Sequence, residues 1–175
     1  MRCFKAILCF LLIFTMCACT KSQFMDLSGF IYRYNKISDN KAELTDFYFD
    51  ESDTSYVLIR DKVLLRLIAG GDGRIKECRL TLAKATSDKE MSENIISFRQ
   101  AASKAMQSFC EYPQDTAEGI LGDFCLYQDE SFLKEGELTK KQGNFYFVFY
   151  STSVACQLRI CNLYLTEIEP TKKPD

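Results

Sequence analysis

Between Asn144 and Leu165 the chain reads NFYFVFY, then STS, then VACQLRICNLYL, and this stretch constrains the fold more than any other. Two β-rich runs separated by three small polar residues bury their apolar side chains together as an antiparallel hairpin. Side chains alternate along a strand, so Phe145, Phe147 and Phe149 share one face and Tyr146, Val148 and Tyr150 the other. The Phe face is expected in the core. The Tyr face, with Tyr146 and Tyr150 as candidate contact residues, would be a platform for a sugar, a peptide or a partner strand, unless helices or a dimer mate cover it. A hairpin this apolar cannot stand at an exposed edge without pairing with other chains, so further strands are required.

The same period of two governs Leu44 to Leu82, in three runs at Tyr56 to Arg60, Val63 to Ala69 and Ile75 to Leu82. Gly70-Gly71-Asp72-Gly73 supplies a turn before the last run, in which Cys78, Leu80 and Leu82 point one way and Glu77, Arg79 and Thr81 the other. This predicts an antiparallel meander with one buried and one wet face. Two segments follow the helical period instead. FMDLSGFIYRYNKI places Phe24, Leu27, Ile31 and Tyr34 on one stripe, which predicts a helix over about 24–36. Ser87-Asp88-Lys89-Glu90 is a capping box, and behind it Ile95, Phe98, Ala102, Ala105, Met106 and Phe109 mark one face of a helix through Cys110. Pro113 breaks that helix. Asp115-Thr116-Ala117-Glu118 offers a second capping box for a short helix that Gly122 would end.

Residues 128–143 are polar and read as a loop with a short edge strand near Phe132, and 169–175 as a frayed tail. The expected fold is therefore a single α+β domain over 24–168, a mainly antiparallel sheet with two or three helices packed on one face. Helix-then-strands occurs twice, at 24–82 and 88–165, which leaves a duplicated unit open.

Composition narrows the chemistry. The chain has no His, which removes imidazole bases, Ser-His-Asp and Cys-His catalysis and His-ligated zinc. No Gly-rich phosphate loop is present, and no motif calls for a cofactor or metal. The formal charge is −2 and no basic stripe is evident, so nucleic acid is not an expected partner. The acids Asp46, Asp50, Glu51 and Asp53 lack the spacing of a Ca²⁺ loop and read as a solvated turn. Asp123, Asp129 and Glu130 are the acids from which a carboxylate-based hydrolase would be built. Beyond residue 20 there are five cysteines: Cys78, Cys110, Cys125, Cys156 and Cys161. Most read as small buried apolar residues. The candidate bridge is Cys110 to Cys125, from one helix end to the next short helix, and Cys78 with Cys156 is a second pairing of inward-facing residues.

The N-terminus is of another kind. Arg2 and Lys5 precede an apolar run from Ala6 to Met16, broken only by Thr15, and that run is too short to span a bilayer, which takes roughly 20 residues. At its end Met16-Cys17-Ala18-Cys19 resembles the lipobox of bacterial lipoproteins: a bulky apolar residue, two small ones, then Cys. The resemblance implies a signal peptide over 1–18 and a diacylglyceryl thioether on Cys19, with acylation of the new N-terminus. Residues 19–23 would form a short tether, and the domain would face outward from the cell membrane or outer membrane. Cys17 fits less well because Met16 would precede the cut. The competing readings are an ordinary cleaved signal peptide and a retained N-terminal helix. Two or three acyl chains make a stable anchor where one binds only reversibly. Removing residues 1–18 takes away Arg2 and Lys5 and no acid, so the mature charge is −4. The functional expectation is a non-catalytic binding or accessory module for a protein, peptide or envelope ligand near the membrane. The alternatives are an envelope hydrolase using paired carboxylates and a structural homodimer formed through the 144–165 hairpin. Mass spectrometry of the mature protein should find a lipid-modified N-terminus at Cys19, and Cys19→Ala should release the protein from membranes; an unmodified N-terminus elsewhere would reject the anchor.

Overall fold

A computed structural model of the chain describes residues 25–38, 43–50, 54–60 and 62–166. Cys19, the signal segment and the tether lie outside the described residues, as do Glu51 and Asp53. Helix α1 (Leu27–Ile37) is followed by strands β1 (Tyr48–Phe49), β2 (Thr54–Ile59), β3 (Val63–Ala69) and β4 (Ile75–Ala83). Then come helices α2 (Asp88–Phe109), α3 (Gln114–Asp123) and α4 (Glu130–Leu133), and strands β5 (Gly136–Gln142), β6 (Phe145–Ser151) and β7 (Ala155–Asn162). The seven strands form one antiparallel sheet in the order β1-β2-β3-β4-β7-β6-β5. This is the expected α+β class. Each half is a meander, and β4 meets β7 in the middle, from Glu77 opposite Cys161 to Ala83 opposite Ala155.

The strands alternate as the sequence predicts. Val57, Ile59, Val63, Leu65, Leu67, Cys78, Leu80 and Leu82 from one meander are buried, with Phe145, Phe147, Phe149, Cys156, Leu158 and Ile160 from the other, in one core shared with the helices. The helices thus pack on that one face. In α1 Tyr34 of the predicted stripe is fully buried with Phe30 beside it, and Leu27 and Ile31 pack against the core partly buried; Ile37, at the edge of the stripe, is 40% exposed, and Phe24 lies outside the described residues. The helix begins after Asp26, whose carboxylate accepts a 2.7 Å bond from the Gly29 amide. The backbone then ties this helix to the sheet, since the Ile75 amide donates to the Met25 carbonyl at 2.8 Å.

Helix α2 is the predicted one. The Ser87 hydroxyl accepts from the Glu90 amide at 3.3 Å, and every residue assigned to its apolar face is buried. Ala101, Ala102 and Ala105 keep that face slim, so the helix lies close against β3 and β4. A part-buried ion cluster fastens it to the start of the chain. Lys104 Nζ lies 2.9 Å from both Ser38 Oγ and Glu43 Oε2, and Arg60 Nε donates to the other Glu43 oxygen at 3.0 Å.

Three expectations need correction. Helix α3 uses no capping box at Asp115: it starts at Gln114 behind Pro113, whose fixed φ of −58° leads into the helix without a side-chain cap. Gly122 lies inside α3, and the chain turns instead at Cys125, in the left-handed region at φ 55°. Residues 128–143 are not a loop. Phe132 belongs to helix α4 and is fully buried, and the edge strand is β5, paired residue by residue with β6. The Gly143-Asn144 turn between β5 and β6 has φ +56° at Gly143, as a two-residue hairpin with glycine first requires.

The aromatic core converges on Phe149, with Phe132 at 5.6 Å, Phe98 at 6.4 Å and Phe124 at 6.5 Å between ring centroids. Because Phe132 also meets Phe98 edge-on at 5.6 Å, Phe132→Ala removes a ring that three elements share. It should destabilise the protein by about 3–5 kcal/mol in urea unfolding, and a loss below about 1 kcal/mol would mean that α4 does not seal the core.

Candidate functional site

Side chains that alternate out of the core gather on the second face of the sheet, which no helix covers among the described residues. The strand registers place three rows across it. One is Tyr56, Arg66, Arg79, Arg159, Val148 and Thr139; below it run Leu58, Leu64, Thr81, Gln157, Tyr150 and Glu137. The third is Thr54, Ile68, Glu77, Cys161, Tyr146 and Lys141. Tyr146 and Tyr150 therefore lie where the alternation puts them, on the uncovered face, both half-buried.

Glu77 is the centre of this face. Its Oε1 accepts from Arg79 Nε at 2.8 Å and Nη2 at 2.6 Å, and from Arg159 Nε at 2.8 Å; Arg159 Nη2 reaches Oε2 at 3.1 Å. Burial pushes the Glu77 carboxyl up, but the hydrogen bonds and charges of Arg159 and Arg79 outweigh it and hold the group below the ordinary value of 4.5. The same hydrogen bonding raises Arg159. The predicted wet face is thus partly dry, because two guanidinium groups close over the carboxylate and leave it 6% exposed. Beside this cluster a hydrogen-bonded chain crosses three strands: Tyr150 Oη donates to Gln157 Oε1 and Gln157 Nε2 to Thr81 Oγ1, each at 2.8 Å. At the other end Tyr48 stacks on Tyr56 at 5.7 Å, with Leu58 half exposed nearby.

Sequence reasoning missed the arginine row, because Arg66, Arg79 and Arg159 are dispersed along the chain. A local signal was present in each case. All three sit between two apolar residues in a strand (Leu65 and Leu67, Cys78 and Leu80, Leu158 and Ile160), which fixes them on the outward side of a sheet. Only the strand order makes them neighbours.

The other candidates are not brought together. Cys110 is buried, Cys125 is exposed, and both are free thiols, as are Cys78, Cys156 and Cys161. The Cys110–Cys125 bridge is not made: Cys110 turns into the core at the end of α2, while the left-handed backbone at Cys125 leaves its side chain in solvent. Cys78 and Cys156 both face inward as predicted, without a bond between them. Burial pushes the Cys161 thiol up to about 11, with the Glu77 carboxylate adding to it. The three acids of a carboxylate site each face a different cation: Asp123 pairs with Lys140, Asp129 with Arg99 at 2.7 Å, and Glu130 with Lys134 at 4.0 Å. Asp46 and Asp50 are exposed, and no group of three or more metal-ligating side chains is assembled among the described residues.

A groove of about 310 Å³ lies on the helical side, lined by Arg99, Gln100, Ser103, Lys104, Gln107 and Tyr127 among others. Its polar groups are engaged in holding the fold. Lys104 bonds Ser38 and Glu43, Arg99 bonds the Leu126 carbonyl and Asp129, and Gln107 bonds Ser103. The uncovered sheet face is the better candidate surface. No helix among the described residues is long and apolar enough to cross a membrane. No family model, no curated protein and no solved structure matches this chain.

Because Glu77 is held below its unfolded pKa, its contribution to stability is complete above the unfolded value and is lost as the pH falls through the folded one. Glu43, held low by Ser38, Lys104 and Arg60 against the opposing effect of burial, acts in the same direction. A Glu77→Gln variant separates the two. It should be less stable than the parent by about 2 kcal/mol at pH 7. The gap should narrow as the pH is lowered from 7 through 4.5 and below, and close once the parent carboxylate has taken up its proton. Urea unfolding across that range checks it, and a gap independent of pH would show that Glu77 does not act through its charge.

Proposed function

We propose that this protein is a lipid-anchored extracytoplasmic binding or accessory module, held to the membrane through Cys19 and presenting the uncovered face of its sheet to a protein, peptide or envelope ligand. The observation that carries the reading is the make-up of that face. Tyr48, Tyr56, Tyr146, Tyr150, Arg66, Arg79 and Arg159 lie on one rigid surface with the core packed behind it. Tyr and Arg supply most of the energy in protein interfaces, because each offers a large contact area together with directed hydrogen bonds. A strand scaffold holds them in place, so little side-chain order has to be created on binding.

A carboxylate hydrolase is the weaker reading, since Asp123, Asp129 and Glu130 are each neutralised by a separate cation and do not converge on one point. A dimer joined edge to edge through the 144–165 hairpin has no free edge to use: β6 is already paired with β5, and β7 with β4. The net acidity of the chain argues against nucleic acid as the partner.

Photo-crosslinking in intact cells tests the reading by face. With p-benzoylphenylalanine in place of Tyr146, on the sheet face, a discrete adduct should form in the membrane fraction. With the same group in place of Tyr127, which is half exposed on the helical side, it should not. Equal adducts at both positions, or none at Tyr146, would count against this face as the binding surface.

A further inference from the structure

We infer that the uncovered face recognises an acidic segment of a protein partner, with Arg66 and the free edges of Arg79 and Arg159 as the seat for its carboxylate. This rests on the reading of that face as a binding surface and gives its ligand a chemistry.

Arg66 lies directly opposite Arg79, and Arg79 directly opposite Arg159, on three adjacent strands. Neighbouring strands are about 4.8 Å apart, and like charges placed opposite one another repel. Glu77, one position along, answers that repulsion for Arg79 and Arg159. It does not answer it for Arg66, which is exposed and makes no ion pair or hydrogen bond among the described residues. Three cations therefore stand in one row beside a single carboxylate, which pairs with two of them. The surplus positive charge sits in the middle of a face on a protein whose net charge is negative.

The hydrogen-bonding capacity points the same way. Arg79 and Arg159 each give their Nε and Nη2 groups to Glu77, and the Nη1 group of neither is engaged among the described residues. Glu77 holds these side chains in fixed orientations, so their remaining donors are organised before any ligand arrives. A carboxylate lying between Arg66 and Arg79 would accept from both, in the forked geometry that guanidinium groups make with carboxylates.

The surroundings indicate what carries the acid. Tyr56 flanks Arg66 on one side, itself stacked on Tyr48, and Leu58, Leu64 and Ile68 lie in the adjoining rows. Tyr48 is largely exposed and Leu58 half exposed. A free anion would use the arginines and leave this apolar shelf uncovered. A polypeptide with an acidic side chain between apolar or aromatic ones would cover both. The long edge strand β5 does not compete as a docking site for a strand, because Glu137, Lys140 and Lys141 line it.

The test is fluorescence anisotropy with the mature chain as purified from cells. The probes are a labelled dodecapeptide repeating glutamate, serine and leucine, and its counterpart with glutamine for glutamate. Vesicles of phosphatidylglycerol and phosphatidylcholine in equal parts serve as a third arm, read by flotation. The acidic peptide should bind saturably, bind more weakly as salt is raised, and bind about tenfold or more tighter than the glutamine peptide. Arg66→Gln, at an exposed position, should keep the parent's urea midpoint and weaken acidic-peptide binding about tenfold or more. Equal binding by parent and Arg66→Gln overturns the inference. If both peptides bind alike and the crosslink at Tyr146 persists, the anion seat is wrong and the binding face stands. If no peptide binds and that crosslink is also missing, both fall. Arg66-dependent binding to the vesicles without binding to the peptide would assign the seat to a lipid headgroup and reject a polypeptide partner.

Discussion

The pairing of β4 with β7 is the contact on which the rest of the molecule depends. Each half of the chain builds its own meander, and neither closes a core alone, because each presents one apolar face and the helices that cover it come from both halves. Seven residue pairs along β4 and β7 join the meanders, and the apolar members of those pairs, Cys78 with Ile160, Leu80 with Leu158 and Leu82 with Cys156, form the floor beneath α2. These contacts are separated by roughly half the chain, so their loop-closure entropy has to be met before they contribute.

The same junction organises the opposite face. The intervening pairs in the register are Glu77 with Cys161, Arg79 with Arg159 and Thr81 with Gln157. Placing two arginines opposite each other would repel in an otherwise empty site, and the buried carboxylate of Glu77 turns that repulsion into a three-residue cluster spanning the junction. One register thus determines both the packing of the core and the arrangement of charge on the outside. A slip of β7 by one residue against β4 would turn Leu158 outward and Arg159 inward, an outcome the core would not tolerate. The register is therefore strongly specified, and so is the geometry of the candidate site.

Much of the fold was legible in the sequence, for physical reasons that differ from element to element. The β6–β7 hairpin and β2 to β4 declared themselves because each buries one face, so apolar and polar residues alternate. Helix α2 did so because its cap and its stripe agree. Strand β5 did not, because an edge strand with no helix over it leaves nearly all of its residues in solvent and has no alternation to display. Helix α4 was hidden for the opposite reason. Four residues contain no period, and its one buried ring, Phe132, is recognisable only from Phe98 and Phe149 on other elements. Of the candidate site, Tyr146 and Tyr150 were readable from alternation, whereas the arginine row and the burial of Glu77 were not.

By itself the sequence determined the class of fold, the inward and outward sides of β2 to β4, β6 and β7, the limits of α2 and the absence of any imidazole chemistry, because these follow from local period and composition. It also carries, in Met16 to Cys19, the pattern from which anchoring is expected. The tertiary structure alone decided which outward residues become neighbours. Strand order and register are set by the summed burial of both apolar faces, a property of the whole chain, and only when β3, β4 and β7 lie side by side do Arg66, Arg79 and Arg159 form one row with a single buried carboxylate between two of them.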